Sequence, residues 1–267
     1  MSLKHIDVII PVCKTLPYLD DLFNSIYNLD TAGLHVHWFF VVDFATAEQV
    51  QREAGYVTAQ IGRMRTWARF NTLWDYDLTA CGENQGLGEA RNIGIAKGSS
   101  PYVCWFDSDD LFTPDSLVGR IKYMEEHAEV DCGYGTYWTF KGDFTESIGN
   151  WGDPEIQPFT YPNLFRENQF HPCSTIIRRD KFEPFPKSVR VAEDYAWALK
   201  IARKIRFAYI EDVRVLYYRL RGDSLSTASE AQKLHYPNII KIKREIWCEM
   251  PAEDHAQIQE AWTDGGA

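Results

Sequence analysis

The feature that most restricts what this chain can fold into is a series of short, dense apolar runs alternating with segments of helical spacing. "HIDVIIPV" (5–12), "VHWFFVVD" (36–43), "DYDLTACG" (75–82) and "YVCWFD" (102–107) read as strands. Between the first two, "LPYLDDLFNSIYNL" sets Leu16, Leu19, Leu22, Phe23 and Ile26 on one stripe of a helix. "TAEQVQREAG" predicts a short helix, and "LGEARNIGIAKG" (87–98) a helix closed by Gly98. Thr113 and Pro114 read as an N-cap and first helical residue of another, running to about His127. Strand and helix in strict alternation imply an α/β, Rossmann-like domain: a mostly parallel central sheet flanked by helices.

The second half is less regular. Residues 140–172 read as loop, "STIIRR" as a strand, "EDYAWALKIARK" as a helix and "RFAYIEDVRVLYYRLR" as two strands. A last helix is expected over about 229–248. No linker, repeat or charge block divides the 267 residues, and 45% hydrophobic composition supplies a sizeable core. A net charge of -10 argues against nucleic acid as the main partner. The six cysteines (13, 81, 104, 132, 173, 248) lack zinc spacing and read as reduced core thiols. With no signal peptide and no apolar run of about 20 residues, the expected setting is cytoplasmic.

Charge then concentrates where the strands end. In open parallel sheets, ligands bind beyond the carboxyl ends of the strands, where Asp43 and Asp107 are expected. In "CWFDSDDLF" (104–112), Asp107 and Asp109 stand two apart at such an end, and their hard oxygens either suit Mg2+ or Mn2+ or belong to a solvated acidic turn. "NQGLGEARNIG" (84–94) is no dinucleotide fingerprint, because Arg91 stands where the third glycine belongs. Asn84 and Arg91 are expected to face the same crevice, Arg91 either serving a base or phosphate or pairing with a nearby acid. Glu193 and Asp194 open a helix, where the dipole welcomes acids and where one carboxylate can take a proton from an attacking hydroxyl. Arg219 and Arg221, two apart on a strand, are expected on one face, either attending a diphosphate or lying on an exposed edge strand.

Taken in order, "VIIPV", "VVD", "NQGLGEARNIG", "FDSDD", "ED" and "YYRLRGDSLS" resemble the motifs of the family 2 inverting glycosyltransferases, over roughly residues 5 to 226. The resemblance implies the GT-A fold, with a nucleotide-binding half over about 1–112 and an acceptor half over 113–226 that carries smaller antiparallel elements. Residues 227–267 would be a helical extension packed on it. It further implies a nucleotide-sugar donor (a UDP-sugar before GDP or dTDP), a divalent metal, inversion, and a carbohydrate or lipid-linked acceptor. By position, Pro11, Val12, Asp43, Asn84 and Arg91 would surround the nucleobase and ribose. Asp107 would reach ribose or metal, Asp109 the metal, Asp194 would be the general base, and Glu193 would support the acceptor.

Three departures stand out: "DFAT" for the family's "DDGS", Cys13 for an aromatic, and Arg221 for a histidine near the metal, which would put Arg221 on phosphate. Trp138, Trp151 and His171 are acceptor candidates. The basic amphipathic stretch "PNIIKIKREIWCEM" (237–250) either packs on the domain or touches a membrane peripherally at its inner face. The competing functions are a sugar-nucleotide nucleotidyltransferase, whose Gly-rich basic loop after the first strand is missing from "PVCKTLPYLDD", and a catalytically silent sugar- or partner-binding module.

Overall fold

A computed structural model describes residues 3–44, 46–66, 73–142, 146–151, 159–222 and 229–264. Its centre is β1 (Lys4–Val12), whose Ile6, Val8, Ile9, Ile10 and Val12 are fully buried because helices cover both faces. β2 (Leu34–Asp43) pairs parallel with β1 on one side, and β3 (Trp74–Cys81) parallel with β2. On the other side, β4 (Tyr102–Trp105) runs parallel to β1.

The sheet then turns mixed. β5 (Leu111–Phe112), β6 (Cys132–Lys141), β7 (Glu146–Trp151), β8 (Thr175–Arg178) and β9 (Phe207–Arg219) complete it. Among the described residues the order is β3-β2-β1-β4-β8-β6-β9-β5, with β7 on β6. β8 is antiparallel to both β4 and β6, whereas β9 runs parallel to β6. The α/β expectation holds, with the parallel half first and the antiparallel elements after it.

The helices show where local signals hold and where packing overrides them. α1 (Leu19–Tyr27) buries Leu19, Leu22, Phe23 and Ile26, as their spacing predicts. α2 (Ala47–Arg65) runs well past the predicted end near Gly55, because Val57, Ile61 and Met64 continue its buried stripe. Their burial outweighs the roughly 1 kcal/mol a helical glycine costs. α3 (Leu87–Lys97) presses so closely on β1 that a Cβ at Gly94 would lie 2.5 Å from Ile9 Cγ2.

α4 (Ser116–Glu126) starts three residues after Thr113, whose hydroxyl donates to the Arg214 carbonyl of β9 instead of capping the helix. α5 (Tyr161–Arg166) and β7 lie in the 140–172 stretch read as loop, and β6 lies mostly before it, where no element was predicted. α6 (Glu193–Ile201) is the predicted "EDYAWALKI" helix. The two strands expected over 206–221 are one strand, β9, whose irregular middle holds Asp212 at φ 60°.

α7 (Ser229–Glu249) is followed by an unpredicted α8 (Ala252–Asp264). Ile242, Ile246, Met250 and Ile258 from this extension join the main core cluster. Of the six unpaired cysteines, Cys81, Cys104, Cys132 and Cys173 are buried, but Cys13 is half-buried and Cys248 is exposed, which corrects the reading of all six as core thiols.

Candidate active site

The ends of β1, β2 and β4 and the start of α6 meet at one rim of the sheet. Pro11 and Val12 close β1 and are buried there. Beyond them, the Thr15 and Ser108 hydroxyls bond at 2.7 Å, fastening the loop after β1 to the acidic loop after β4. That serine, the middle residue of the DSD triplet, had no assigned role in the sequence reading.

Asp43 ends β2 and is turned onto the loop that precedes α3. Its Oδ1 accepts from Gln85 N (2.7 Å), and its Oδ2 from Gly86 N (2.9 Å) and Asn84 Nδ2 (3.3 Å). Burial pushes the Asp43 carboxyl upward, and the two backbone bonds pull against it. The structure therefore brings together Asp43 and Asn84, both expected at the nucleoside, and spends much of their polar capacity on shaping that loop.

Arg91 settles the alternative left open in the sequence. It is 1% exposed and pairs with acids on both sides: Nη2 donates to Asp107 Oδ1 at 2.7 Å, and Nη1 to Glu193 Oε1 at 3.1 Å. The planar guanidinium suits this two-ended grip, and the Phe185 ring lies 5.4 Å from its carbon. As a correction to its placement around the base, Arg91 acts here as a strut between the DSD loop and α6. The approach requires glycine at 88, where a Cβ would stand 2.9 Å from Glu193 Cγ. Ala192, just before α6, takes a left-handed φ of 64°, a strained conformation for alanine at the step that aims Glu193 and Asp194.

The three aspartates of the DSDD loop have different neighbours. Asp107 is desolvated, which raises its carboxyl, but Arg91 and then His171 outweigh this and hold it below its usual range. Asp109 is pushed up to about 6 by burial and by Asp107, against the pull of Arg221. Asp110 is fully buried and raised well above its usual range by burial, then by Asp109 and Asp107. Its Oδ1 accepts from Arg219 N at 2.8 Å, while its Oδ2 has no partner among the described residues.

The arginines divide the work that was expected of them jointly. Arg219 is a clamp, 6% exposed: Nε donates to the Asp109 carbonyl (2.8 Å) and Nη2 to Asp21 (2.9 Å). Arg221 Nε lies 2.9 Å from Asp109 Oδ2, a charge contact without the alignment of a hydrogen bond. Both guanidinium groups stand about the Tyr18 ring, at 4.8 and 5.0 Å. Arg219 is thus withdrawn from the diphosphate role, and Arg221 remains at the acidic loop.

For a divalent cation, the chemistry of the donor set fits. Asp107, Asp110 and Cys173 present ligand atoms within 4.8 Å of one another. The two carboxylates are hard oxygen donors, and Asp110 Oδ2 is buried without a partner. Burial keeps the Cys173 thiol protonated, and it donates to Asp107 rather than serving as a thiolate. The grouping differs from the expected Asp107 and Asp109, because Arg221 brings a permanent charge onto Asp109.

At the start of α6, Asp194 Oδ1 accepts from Tyr195 N at 2.7 Å, and no hydrogen bond holds Oδ2 among the described residues. His171 packs between the Tyr137 and Tyr218 rings (4.9 and 4.6 Å), with Nδ1 accepting from Cys173 N. Burial lowers it to about 4 against the pull of Asp107 and Asp194, so it is neutral near pH 7 while sensing both acids. Trp138 follows Tyr137 on β6 and so points to the other face, under the Arg214 guanidinium at 4.4 Å, which separates it from His171. The Trp151 side chain and residues 223–226 of the last motif lie outside the described residues.

Comparison with known proteins accords with this architecture. The "Glycosyl transferase family 2" model matches residues 7–184. WfaP of Escherichia coli, a UDP-Glc:alpha-D-GlcNAc-diphosphoundecaprenol beta-1,3-glucosyltransferase, is 27% identical over 184 residues, 66% of this chain and 69% of its own. An uncharacterized glycosyltransferase of Haemophilus influenzae is 27% identical over 126 residues, 46% of this chain and 48% of its own. The chain matches 20% to 53% of the length of the first curated relatives.

Among solved structures, TarS 1-349 of Staphylococcus aureus in complex with UDP-GlcNAc superposes with a TM-score of 0.62 at 19% identity, over 84% of this chain and 61% of that one. Mannosyltransferase PcManGT of Pyrobaculum calidifontis, with GDP-Man and Mn2+, gives 0.58 at 19% identity, over 88% and 64%. At such identities the likeness speaks for the fold. With a parallel half, an acidic rim and a family match over two thirds of its length, the chain belongs to glycosyl transferase family 2.

Proposed function

We propose that the protein transfers a sugar from a nucleotide-sugar donor, a UDP-sugar first among them, to an acceptor hydroxyl with inversion. The observation that carries this reading is the Arg91 bridge, which holds the DSD loop and the α6 acids on one rim although they lie 86 residues apart between Asp107 and Glu193. The donor's nucleoside lies against Pro11, Val12 and the Asp43–Asn84 loop, and Arg221 turns from Asp109 to the diphosphate. Asp107 and Asp110, with Asp109, would hold Mg2+ or Mn2+. When bound, that cation supplies Lewis-acid neutralisation of the charge that builds on the leaving nucleoside diphosphate.

Asp194 takes the acceptor's proton as the hydroxyl oxygen bonds to the anomeric carbon and the bond to the diphosphate breaks on the opposite face. Glu193 and neutral His171 orient the acceptor beside it. The acceptor in WfaP's name, a GlcNAc-diphosphoundecaprenol, is lipid-linked, which supports a carbohydrate acceptor carried on a lipid diphosphate. Thermal unfolding with UDP and Mn2+, separately and together, tests the donor site. Synergistic stabilisation is expected. Stabilisation only by a nucleoside triphosphate would favour a nucleotidyltransferase, and no response a silent binding module.

A further inference from the structure

We propose that the exposed face of α7 is a docking surface for an anionic lipid bilayer. Large hydrophobic side chains at the surface are few among the described residues: Leu3, Tyr27, Leu234, Tyr236 and Ile240. Three of these five fall on α7, and two are more than half exposed, Leu234 at 54% and Tyr236 at 74%. Isolated surface hydrophobics are ordinary, but a group confined to seven residues of one helix is not.

The charge around them is mainly basic, with Glu230 and Glu245 at the ends of the stretch and Glu245 3.9 Å from Lys241. Residues 231–244 hold Lys233, Lys241, Lys243 and Arg244 and no acid, in a chain of net charge -10. At about 100° per residue, Ile240, Arg244, Pro237, Lys241 and Leu234 share one strip of roughly 120° along the helix. Ile242, Ile246 and Met250 face the other way, into the core. Tyr236 extends the strip over the first turns, where residues 233–237 are all exposed. Lys243 belongs to the inner side, its Nζ donating to the Arg166 carbonyl.

A bilayer surface with anionic headgroups answers both halves of this face. The apolar side chains enter the headgroup boundary while Lys233, Lys241 and Arg244 reach the lipid anions. No helix of the described residues is long and apolar enough to cross the membrane, so the contact is one of lying on it. The surface is also fixed relative to the site: Asn238 Nδ2 donates to the Val191 carbonyl at 3.1 Å, two residues before Glu193. If the transferase reading holds, on which this clause rests, the docked helix sets the α6 acids beside an acceptor carried in the same bilayer.

Co-sedimentation with vesicles of phosphatidylcholine, alone or mixed with phosphatidylglycerol, tests the proposal without donor or acceptor, so its failure leaves the transferase reading standing. Binding is expected on the mixed vesicles and reduced by salt. The triple variant K233E/K241E/R244E should bind on the order of a hundredfold more weakly. L234S/I240S should lose binding with its folding transition unchanged, since both side chains are exposed. Equal binding by wild type and both variants, or equal binding to neutral vesicles, would overturn the proposal. So would a lipid-free dimer that L234S/I240S dissociates, which would assign the face to a second copy of the chain.

Discussion

Replacing Arg91 by methionine keeps most of the side chain's volume and removes the charge that joins two loops. In the native protein the guanidinium is 1% exposed and contacts Asp107 at 2.7 Å and Glu193 at 3.1 Å. Removing one partner of a buried pair costs about 3–5 kcal/mol, because the other charge stays desolvated. Asp107 retains some contact with solvent, its side chain 23% exposed, so the low end of about 3 kcal/mol applies. For a domain of this size, about 3 kcal/mol lowers Tm by roughly 6–12 °C. Arg91→Lys should fall between the two, since an ammonium can face one acid but cannot fork between both. Differential scanning calorimetry at pH 7 reads the effect. An Arg91→Met protein melting within about 2 °C of wild type would refute the strut.

Four other predictions concern the same rim and the helices beneath it. Burial, then Asp194, pushes Glu193 up to about 8 from its ordinary 4.5. Between those values the folded protein keeps a proton that the unfolded chain releases, so this group's contribution to stability falls as pH rises through the window. Glu193→Gln should therefore match wild type in Tm at pH 5 and exceed it increasingly towards pH 8; a constant difference would contradict the assigned burial. Gly94→Ala should destabilise by about 1–3 kcal/mol, since its Cβ would stand 2.5 Å from Ile9 Cγ2. Gly55→Ala, whose Cβ meets nothing within 4 Å, should stabilise α2 by up to about 1 kcal/mol, both read by urea unfolding. In the transferase reading, chelation of divalent cations should abolish the extra stabilisation that UDP and Mn2+ give together.

The first half of the fold is legible because buried parallel strands are continuous apolar runs: β1, β2 and β4 all stand out, and helices cannot hide between them. β6 escapes because Gly133 and Gly135 weaken its strand signal. Both are there for packing, as a Cβ at either would stand 2.7 Å from Ile210 Cδ1 or the Val213 carbonyl of β9. The length of α2 was masked by Gly55, and the unity of β9 by the left-handed residue Asp212 at its middle.

At the site, residue types were legible and partnerships were not. Arg91 was visible as a cation near acids, but which acids it meets depends on α3 packing against α6 through Gly88. Cys173 read as a core thiol, and only the pairing of β8 with β4 brings the segment before β8 to Asp107. The clamp by Arg219 is likewise a contact across more than a hundred residues, beyond any periodicity.

In the transferase reading Asp194 serves the proton transfer and little else, a role that Asp194→Asn isolates. Donor affinity, titrated calorimetrically with a UDP-sugar and Mn2+, should stay within about threefold of wild type, while turnover, read as sugar release or transfer, falls roughly 100- to 10,000-fold. Equal losses of affinity and rate, or undiminished turnover, would contradict it.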